Sequence, residues 1–349
     1  MQQPAIVYFF VLFISLLIVL TSLFLYLVIR KAAENERRRK IDAYKTSYQQ
    51  TVFRYLNEGI GEGELSCRSP LKQQALLELF EEFSRLIESE LVQARIRAFA
   101  ETHFQPMIRK QLFHRRWGVR MNALFYIEDF QMKVMINDLE RLYQSAKLTK
   151  SEEIQLLKIY AIFDCPKLYE RMLAPKYPLT EFAYRLLFRH MNDETLKAIV
   201  HRFAQWPPLM QYAFIDIVGI RNRSEYGVYL EQLLESESEE IRIRSLKAMA
   251  TMGYFLSHEK LIHFLSSPLW QERLMAIKVC GKIRANECIP HLVSLLSDPI
   301  FSVRSQAAQA LLRMENGSQW LKEVATSADD PFARDMAREW LERGVEVWG

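Results

Sequence analysis

The sequence lacks the residue patterns that mark catalytic, metal-binding or redox sites. Its four cysteines show no Cys-x-x-Cys spacing, which excludes the common zinc and dithiol motifs. It has neither a Gly-x-x-x-x-Gly-Lys-Ser/Thr loop for phosphate nor a Gly-x-Ser-x-Gly turn for a nucleophilic serine. His258 and His263 lie five positions apart, whereas a zinc-binding helix needs histidines four apart. These absences argue against an enzyme, and we expect no cofactor, no metal and no small-molecule ligand.

A large excess of either charge is also lacking. The 46 Lys and Arg side chains stand against 42 Asp and Glu side chains, which gives a formal net charge of +4. This balance is too mild for a general nucleic-acid binder, so we expect no nucleic-acid partner. From residue 69 onward the alternation of polar and apolar residues that marks β-strands is absent as well, and apolar residues recur at helical spacing. The predicted fold class is therefore all-α.

One long hydrophobic run is present, from Ile6 to Ile29, and it contains no charged residue. At about 1.5 Å per residue, a helix over this run is roughly 36 Å long, which is enough to cross a hydrocarbon core of about 30 Å. Residues 1–30 are therefore predicted to be a transmembrane anchor that contacts the lipid bilayer through residues 6–29. A cleaved signal peptide fits less well, because its basic residues precede the apolar core and here they follow it.

A basic cluster follows the hydrophobic run directly. It consists of Arg30, Lys31, Arg37, Arg38, Arg39 and Lys40. No Lys or Arg precedes it, and basic residues stay on the cytoplasmic side of a membrane. We therefore expect a single-pass protein of the cell membrane, with its N-terminus outside and its C-terminal body in the cytoplasm. The cluster either binds anionic headgroups, at about 1 kcal/mol per basic residue, or acts as an orientation signal only.

Residues 31–66 are predicted to be a juxtamembrane helix followed by a glycine-rich joint. The helix has an apolar face made of Ile41, Tyr44, Tyr48, Val52 and Tyr55. This face packs on the membrane or on the folded body, or it pairs with a second copy of the chain. Its three tyrosines make a poor coiled-coil seam, which favours packing. The glycines at 59, 61 and 63 then predict a flexible joint.

The body, residues 67–349, repeats itself with a period of about 31 residues, within the range typical of helical repeat proteins. Pro299 and Arg304 of one unit correspond to Pro268 and Arg273 of the unit before, and Arg242 lies one further period back. Apolar residues keep the same register, which predicts a series of helix hairpins. A hairpin of this size cannot bury its apolar face alone, so stacked hairpins share one continuous core. The clearest units lie within residues 205–343.

These units resemble HEAT repeats in their short bacterial form. In that family a loop aspartate and an arginine six residues on form a ladder between neighbouring repeats, and Asp298 and Arg304 match both positions. Arg273 and Arg242 keep the arginine, whereas Ser267 stands where the family has aspartate. The resemblance implies that a right-handed HEAT-like α-solenoid follows the transmembrane helix. It also implies a structural ladder role for Asp298, Arg304, Arg273 and Arg242.

The resemblance implies a binding scaffold more often than an enzyme. We expect a membrane-anchored scaffold that binds and organises a protein partner, itself associated with the membrane. One hypothesis is an accessory component of a membrane transport or polysaccharide-synthesis complex. Two alternatives stay open. Some HEAT-like proteins are DNA glycosylases or lyases, and a self-associating juxtamembrane helix would make the chain a structural protein.

One segment of the body is strongly basic. No acidic residue occurs between Thr102 and Ile127, and the basic side chains there include Arg109, Lys110, Arg115, Arg116 and Arg120. This set is a candidate surface for anionic lipid or for an acidic partner segment. The alternative is a solvated helix face answered by the glutamates within residues 78–88. Trp117 and Trp270 occupy equivalent positions in their repeats, which favours packing in the core.

Overall fold

The computed structural model describes residues 3–65 and 67–347, and every regular element within them is helical. The all-α prediction is therefore confirmed. The predicted domain boundary at Ser66 and the last two residues of the predicted solenoid, Trp348 and Gly349, lie outside the described residues. The chain divides into two compact units, Met1–Ile159 and Tyr160–Gly349.

Seven of the described α-helices begin in the first unit. They are α1 (Gln3–Glu58), α2 (Pro70–Leu86), α3 (Glu90–Phe99), α4 (Gln105–Leu112), α5 (Trp117–Asp129), α6 (Ile136–Gln144) and α7 (Lys150–Ile162). A π-helical turn, Ala100–Phe104, joins α3 to α4. Pro70 occupies the first position of α2, where the N–H that proline lacks would have no helical partner anyway.

The two halves of the long helix α1 have opposite surroundings. Its side chains from Tyr8 to Ile29 are exposed. Among the described residues, α1 is the one helix that is long and apolar enough to cross a membrane. In its second half, Ile41, Val52 and Tyr55 are buried where α1 packs on α2 and α3. Of the alternatives for this apolar face, the structure therefore shows packing on the folded body.

Aromatic rings fix the second half of α1 to the first unit. Phe80 of α2 stacks on Phe99 of α3 with ring centroids 4.4 Å apart, and Tyr55 of α1 meets Phe99 edge-on at 5.6 Å. Burying each such side chain contributes about 1.5–3 kcal/mol. Arg95 of α3 also donates a hydrogen bond to the carbonyl oxygen of Leu56, at 2.8 Å. The second half of α1 is thus part of the core of this unit.

The glycine-rich segment after α1 is held by contacts on both sides. Gly59 and Gly61 adopt φ angles of 79° and 99°, which favour glycine and let the chain turn out of α1. Arg54 donates to both carboxylate oxygens of Glu64, at 2.8 and 2.9 Å. Glu62 contacts the ring of His103 at 3.0 Å. Polar and charged side chains therefore tie the segment whose glycines predicted a flexible joint to α1 and to the π-helical turn.

The second unit contains the remaining described helices. They are α8 (Leu168–Leu173), α9 (Glu181–His190), α10 (Asp193–Val200), α11 (Pro208–Ile220), α12 (Gly227–Leu233), α13 (Glu239–Met252), α14 (His258–Leu265), α15 (Trp270–Ile283), α16 (Ile289–Ser294), α17 (Phe301–Leu312), α18 (Gly317–Ser327) and α19 (Pro331–Val347). Side-chain caps start several of them. Thr180 accepts a hydrogen bond from the N–H of Ala183, and Asn192 accepts one from the N–H of Thr195.

The second helix of each hairpin packs on the second helix of the next. These helices, which we call the B helices, are α9, α11, α13, α15, α17 and α19, and they contact one another in chain order. A column of fully buried residues runs through the first five of them at a constant step of one sequence period. It consists of Leu187, Val218, Met249, Cys280 and Leu311. The predicted hairpin packing is confirmed, and the sequence period is the period of this core.

Candidate functional site

Five arginines at equivalent positions hold the loop that precedes their own helix. In each, Nη1 donates hydrogen bonds of 2.7–3.2 Å to the carbonyl oxygens six and five residues earlier. The five are Arg120, Arg242, Arg273, Arg304 and Arg334. Carbonyl groups at a hairpin bend have lost their helical partners, so these bonds satisfy them and fix the loop conformation.

Two of the predicted ladder arginines also reach an acid of the next hairpin. Arg273 donates to both carboxylate oxygens of Asp298, at 2.7 and 3.1 Å, which is the strong bidentate geometry. Arg242 donates from Nε to Glu272 at 2.6 Å. Glu272 in turn accepts a hydrogen bond of 2.5 Å from the hydroxyl of Ser267. A glutamate on the helix therefore does what the missing loop aspartate does elsewhere.

Arg120 belongs to this ladder, and its assignment to the predicted basic surface was wrong. Arg120 is only 6% exposed and donates to both carboxylate oxygens of Glu152, at 2.6 and 3.2 Å. Glu152 is fully buried and also accepts hydrogen bonds from the backbone N–H and the hydroxyl of Thr149. Burial alone would raise the pKa of Glu152, but the hydrogen bonds from Arg120 and Thr149 outweigh it and hold that pKa below its ordinary value.

The other four residues of the predicted basic surface are exposed. Arg109 donates from Nε to Asp138 at 2.9 Å, which partly neutralises its charge. Lys110, Arg115 and Arg116 form no ion pair with any described residue. What remains of the surface is therefore a group of three free cations at the end of α4 and in the loop before α5.

Aromatic side chains lie beside these cations. Trp117 is 50% exposed and Phe113 is 42% exposed. Trp270, in the second unit, is 38% exposed. The prediction that Trp117 and Trp270 pack in the core was wrong, because each is the first residue of its helix and lies at the edge of its hairpin. Their equivalence reflects the shared start of the helices and not a shared core position.

The juxtamembrane basic cluster is mostly paired. Arg38 reaches Glu78 of α2 at 2.9 Å, so this glutamate is not available to answer the basic surface near α4. Three further members pair with glutamates of α1 itself at 3.5–3.6 Å, namely Arg37, Arg39 and Lys40. Arg30 and Lys31 have no ion pair among the described residues, and they follow the exposed apolar stretch directly.

An open groove of about 330 Å³ crosses the B helices α13, α15 and α17. Its lining includes the small residues Ala250, Gly281 and Ala310. A Cβ atom added to Gly281 would lie 3.1 Å from Cβ of Ala310, so α15 and α17 approach closely at this point. The longer side chains that line this groove, which we call the B-helix groove, are Lys247, Thr251, Lys278, Lys282, Gln306, Gln309 and Arg313.

Charges along the B helices differ from one end of the row to the other. On α9, α11 and α13 they compensate one another: Asp216 accepts from Arg244 at 2.7 Å and from Arg185 at 3.3 Å, and Glu181 accepts from Arg244 at 2.9 Å. On α15 and α17 the basic side chains in the groove pair with no carboxylate of the described residues. These side chains are Lys278, Lys282 and Arg313. The B-helix groove is therefore a positive surface beside a neutral network.

Part of this groove could have been predicted from the spacing of basic residues in the sequence. Lys247 and Lys278 stand one period apart, and so do Lys282 and Arg313. A basic residue that recurs with the structural period faces the same side of consecutive B helices. The arginines of the ladder recur in the same way, so the period alone does not separate an exposed column from a buried one.

Potential metal ligands do not cluster in the described part of the chain. No three His, Cys, Asp or Glu side chains lie together there as metal ligands. His258 contacts Glu287 at 2.8 Å, and His263 packs edge-on against Phe264. The four cysteines are free thiols, and of these only Cys67 is not buried.

Residues 258–342 match the family model described as HEAT repeats. The chain therefore carries HEAT repeats in the region where the sequence predicted the clearest units. None of the curated proteins compared with the chain matches it.

Solved structures with a similar arrangement include two of Kap121p. The complex with Pho4p has a TM-score of 0.44 and 13% identity over 82% of this chain, and the complex with Nup53p has 0.43 and 12% over 86%. The matched regions span 41% and 44% of the Kap121p chains, less than half of their length. An engineered protein has a TM-score of 0.26 and 17% identity, with 78% of this chain and 79% of the engineered one covered.

Proposed function

We propose that this HEAT-repeat protein is a membrane-anchored scaffold that holds a protein partner beside the membrane. The observation that carries the proposal is that one half of α1 is exposed and the other half is packed in a core. Its side chains from Tyr8 to Ile29 are exposed and apolar, whereas Val52 and Tyr55 are part of a folded core. An exposed apolar surface of this extent requires an apolar environment. A helix that is continuous between both environments fixes the first unit at the membrane.

The proposed topology is single-pass, with the N-terminus outside and the body in the cytoplasm. The free cations Arg30 and Lys31 support it, since they sit at the end of the apolar stretch that the positive-inside rule assigns to the cytoplasm. The repeats support partner binding, because stacked helix hairpins expose an extended row of equivalent helices. The partner that this arrangement suits is a membrane protein, such as a component of a transport or polysaccharide-synthesis complex.

Crosslinking in intact membranes, followed by affinity capture, tests the proposal. The full chain is compared with a chain that lacks residues 1–30 and with one whose residues 6–29 are replaced by an unrelated apolar helix. We expect one set of membrane proteins to be captured by the full chain and by the helix-replaced chain, and to be absent without the anchor. Identical soluble partners in all three samples would contradict the membrane role. A small molecule that copurifies with all three would favour the enzyme alternative.

A further inference from the structure

The geometry points to the B-helix groove as a binding site for an extended, acidic segment of the protein partner. This inference rests on the proposed function and names the chemistry of the partner. The groove presents Lys278 and Lys282 of α15 and Arg313 of α17, and no carboxylate of the described residues pairs with them. Lys247 of α13 adds a fourth cation, whose nearest acid is Asp216 at 3.7 Å. Carboxylates of a bound segment would supply the missing opposite charge.

Small residues line part of the groove. Ala250, Gly281 and Ala310 carry no long side chain, which leaves room for a second chain between the longer lining side chains. A volume of about 330 Å³ is at the small end of ligand sites, and it holds a few side chains of a peptide and not a folded domain.

The spacing of the cations matches an extended segment. Lys247 and Lys278 occupy the same position in consecutive repeats, as do Lys282 and Arg313. Packed helices lie about 8–10 Å apart, so cations on neighbouring B helices are separated by roughly that distance. An extended chain advances about 3.1 Å per residue in the polyproline II conformation, which brings every third residue to one side at intervals of about 9 Å. Carboxylates at every third position would therefore meet successive cations.

A uniform polyanion fits the same surface less well. The row of B helices continues from the groove into the network of Glu181, Asp216 and Arg244, in which every charge is already answered. A nucleic acid lying along the row would pass from free cations to the carboxylates of Asp216, which is buried, and Glu181, which is half-buried. A bilayer surface is flat and does not enter a groove whose bottom lies between helices. An acidic peptide segment can bind within the groove alone, which extends from α13 to α17.

Fluorescence anisotropy with the full chain in detergent micelles tests the proposal. The probe is a short labelled peptide with Glu at every third position, and a peptide of the same composition with its Glu residues in one block is compared with it. We expect the spaced peptide to bind more tightly, and binding to weaken with salt as exposed charges are screened. The variant K278E/K282E should weaken binding about tenfold or more, since two attractive pairs become repulsive. K197E/K322E, which changes two exposed lysines of α10 and α18 and shifts the net charge by the same amount, is the matched control and should bind like the unmodified chain.

Equal binding by K278E/K282E and the unmodified chain would overturn the proposal. So would equal binding of the two peptides, or binding of a DNA duplex or of phosphatidylserine vesicles that is tighter than peptide binding and is weakened by K278E/K282E. Circular dichroism must show that K278E/K282E melts like the unmodified chain, which we expect because Lys282 is exposed, Lys278 is half-buried and neither pairs with a carboxylate of the described residues. The crosslinking experiment separates this inference from the proposed function. If K278E/K282E still captures the membrane partners, the groove is not their binding site, but the proposed scaffold function stands. If the unmodified chain binds the peptide but captures no membrane partner, the groove proposal stands and the proposed scaffold function is refuted.

Discussion

Replacing Arg120 by methionine tests whether this arginine is structural. The change keeps the length of the aliphatic stem but removes the guanidinium group, which makes two hydrogen bonds to Glu152 and two to carbonyl oxygens of its own loop. Removing one partner of a buried ion pair leaves the other charge uncompensated, at a cost of about 3–5 kcal/mol. For a unit of this size each kcal/mol lowers the melting temperature by roughly 2–4 °C, so we expect a decrease of roughly 6–20 °C.

The assay is thermal unfolding in detergent micelles, followed by circular dichroism, with R116M as the matched control. Arg116 is exposed and unpaired, so its substitution should change the free energy of unfolding by less than about 0.5 kcal/mol. If R120M and R116M melt at the same temperature, the assignment of Arg120 to a structural ladder is refuted.

The effect of R120M also has a defined pH dependence. The pKa of Glu152 is lower in the folded chain than the value of about 4.3 expected when unfolded. A lowered folded pKa stabilises the fold fully above the unfolded pKa, and this contribution is lost as pH falls through the folded pKa. The difference between R120M and the unmodified chain should therefore be largest near neutral pH and shrink below about pH 4. A difference that stays constant through this range would show that the pair does not carry the effect.

Three further substitutions or modifications give distinct outcomes. G219A should destabilise the second unit by about 1–3 kcal/mol in urea unfolding, because a Cβ atom there would lie 2.9 Å from the backbone of the next B helix. G118A is the control: the space around Gly118 is open, so this change should stabilise the first unit by about 0.5–1 kcal/mol. R115E/R116E should weaken binding to vesicles that contain phosphatidylserine without changing the melting temperature, and unchanged binding would remove the basic surface near α4 as a lipid site. A membrane-impermeant maleimide should label Cys67 only after permeabilisation of cells, slowly because burial raises the pKa of its thiol, and labelling in intact cells would contradict the proposed topology.

The repeat architecture was predictable because one physical requirement recurs with one period. Leu187, Val218, Met249, Cys280 and Leu311 are chemically different, yet each is apolar and each stands one period from the next. A stack of hairpins needs an apolar residue at this point of every repeat and tolerates many types. The helix register and the hairpins follow from that column, whereas the HEAT-repeat resemblance depends on the loop residue Asp298 and on Arg304.

The surfaces were less predictable because they depend on contacts between segments distant in sequence. Arg115, Arg116 and Arg120 form one basic run in the sequence, but only Arg120 meets a buried acid, 32 residues further on. The glycine-rich segment reads as a joint because nothing local shows that Arg54 and His103 hold it. Such pairings are decided by packing between helices, which a local pattern does not encode.

The ladder shows how one interaction persists while its acid changes place. Each arginine is positioned by two carbonyl oxygens of its own loop, so the orientation of its guanidinium group does not depend on which residue of the next hairpin contacts it. Asp298 meets Arg273 from the loop itself, whereas Glu272 meets Arg242 from the first turn of its helix, with the hydroxyl of Ser267 fixing its second oxygen. Glu152 is held in the same manner by Thr149, which precedes α7.

Where the loop lacks an aspartate, the arginine can therefore still pair with an acid of the next hairpin. Where the loop has an aspartate, that ion pair does not always form. Asp330 stands in the loop that follows Arg304, but it accepts a hydrogen bond from the N–H of Phe332 at 3.1 Å, and Nε of Arg304 is buried without a hydrogen-bond partner among the described residues. An unsatisfied buried donor costs about 1–3 kcal/mol. The link that follows Arg304 therefore differs in kind from the bidentate ion pair that follows Arg273, because the guanidinium group of Arg304 lies over the ring of Phe332, 5.2 Å from its centroid.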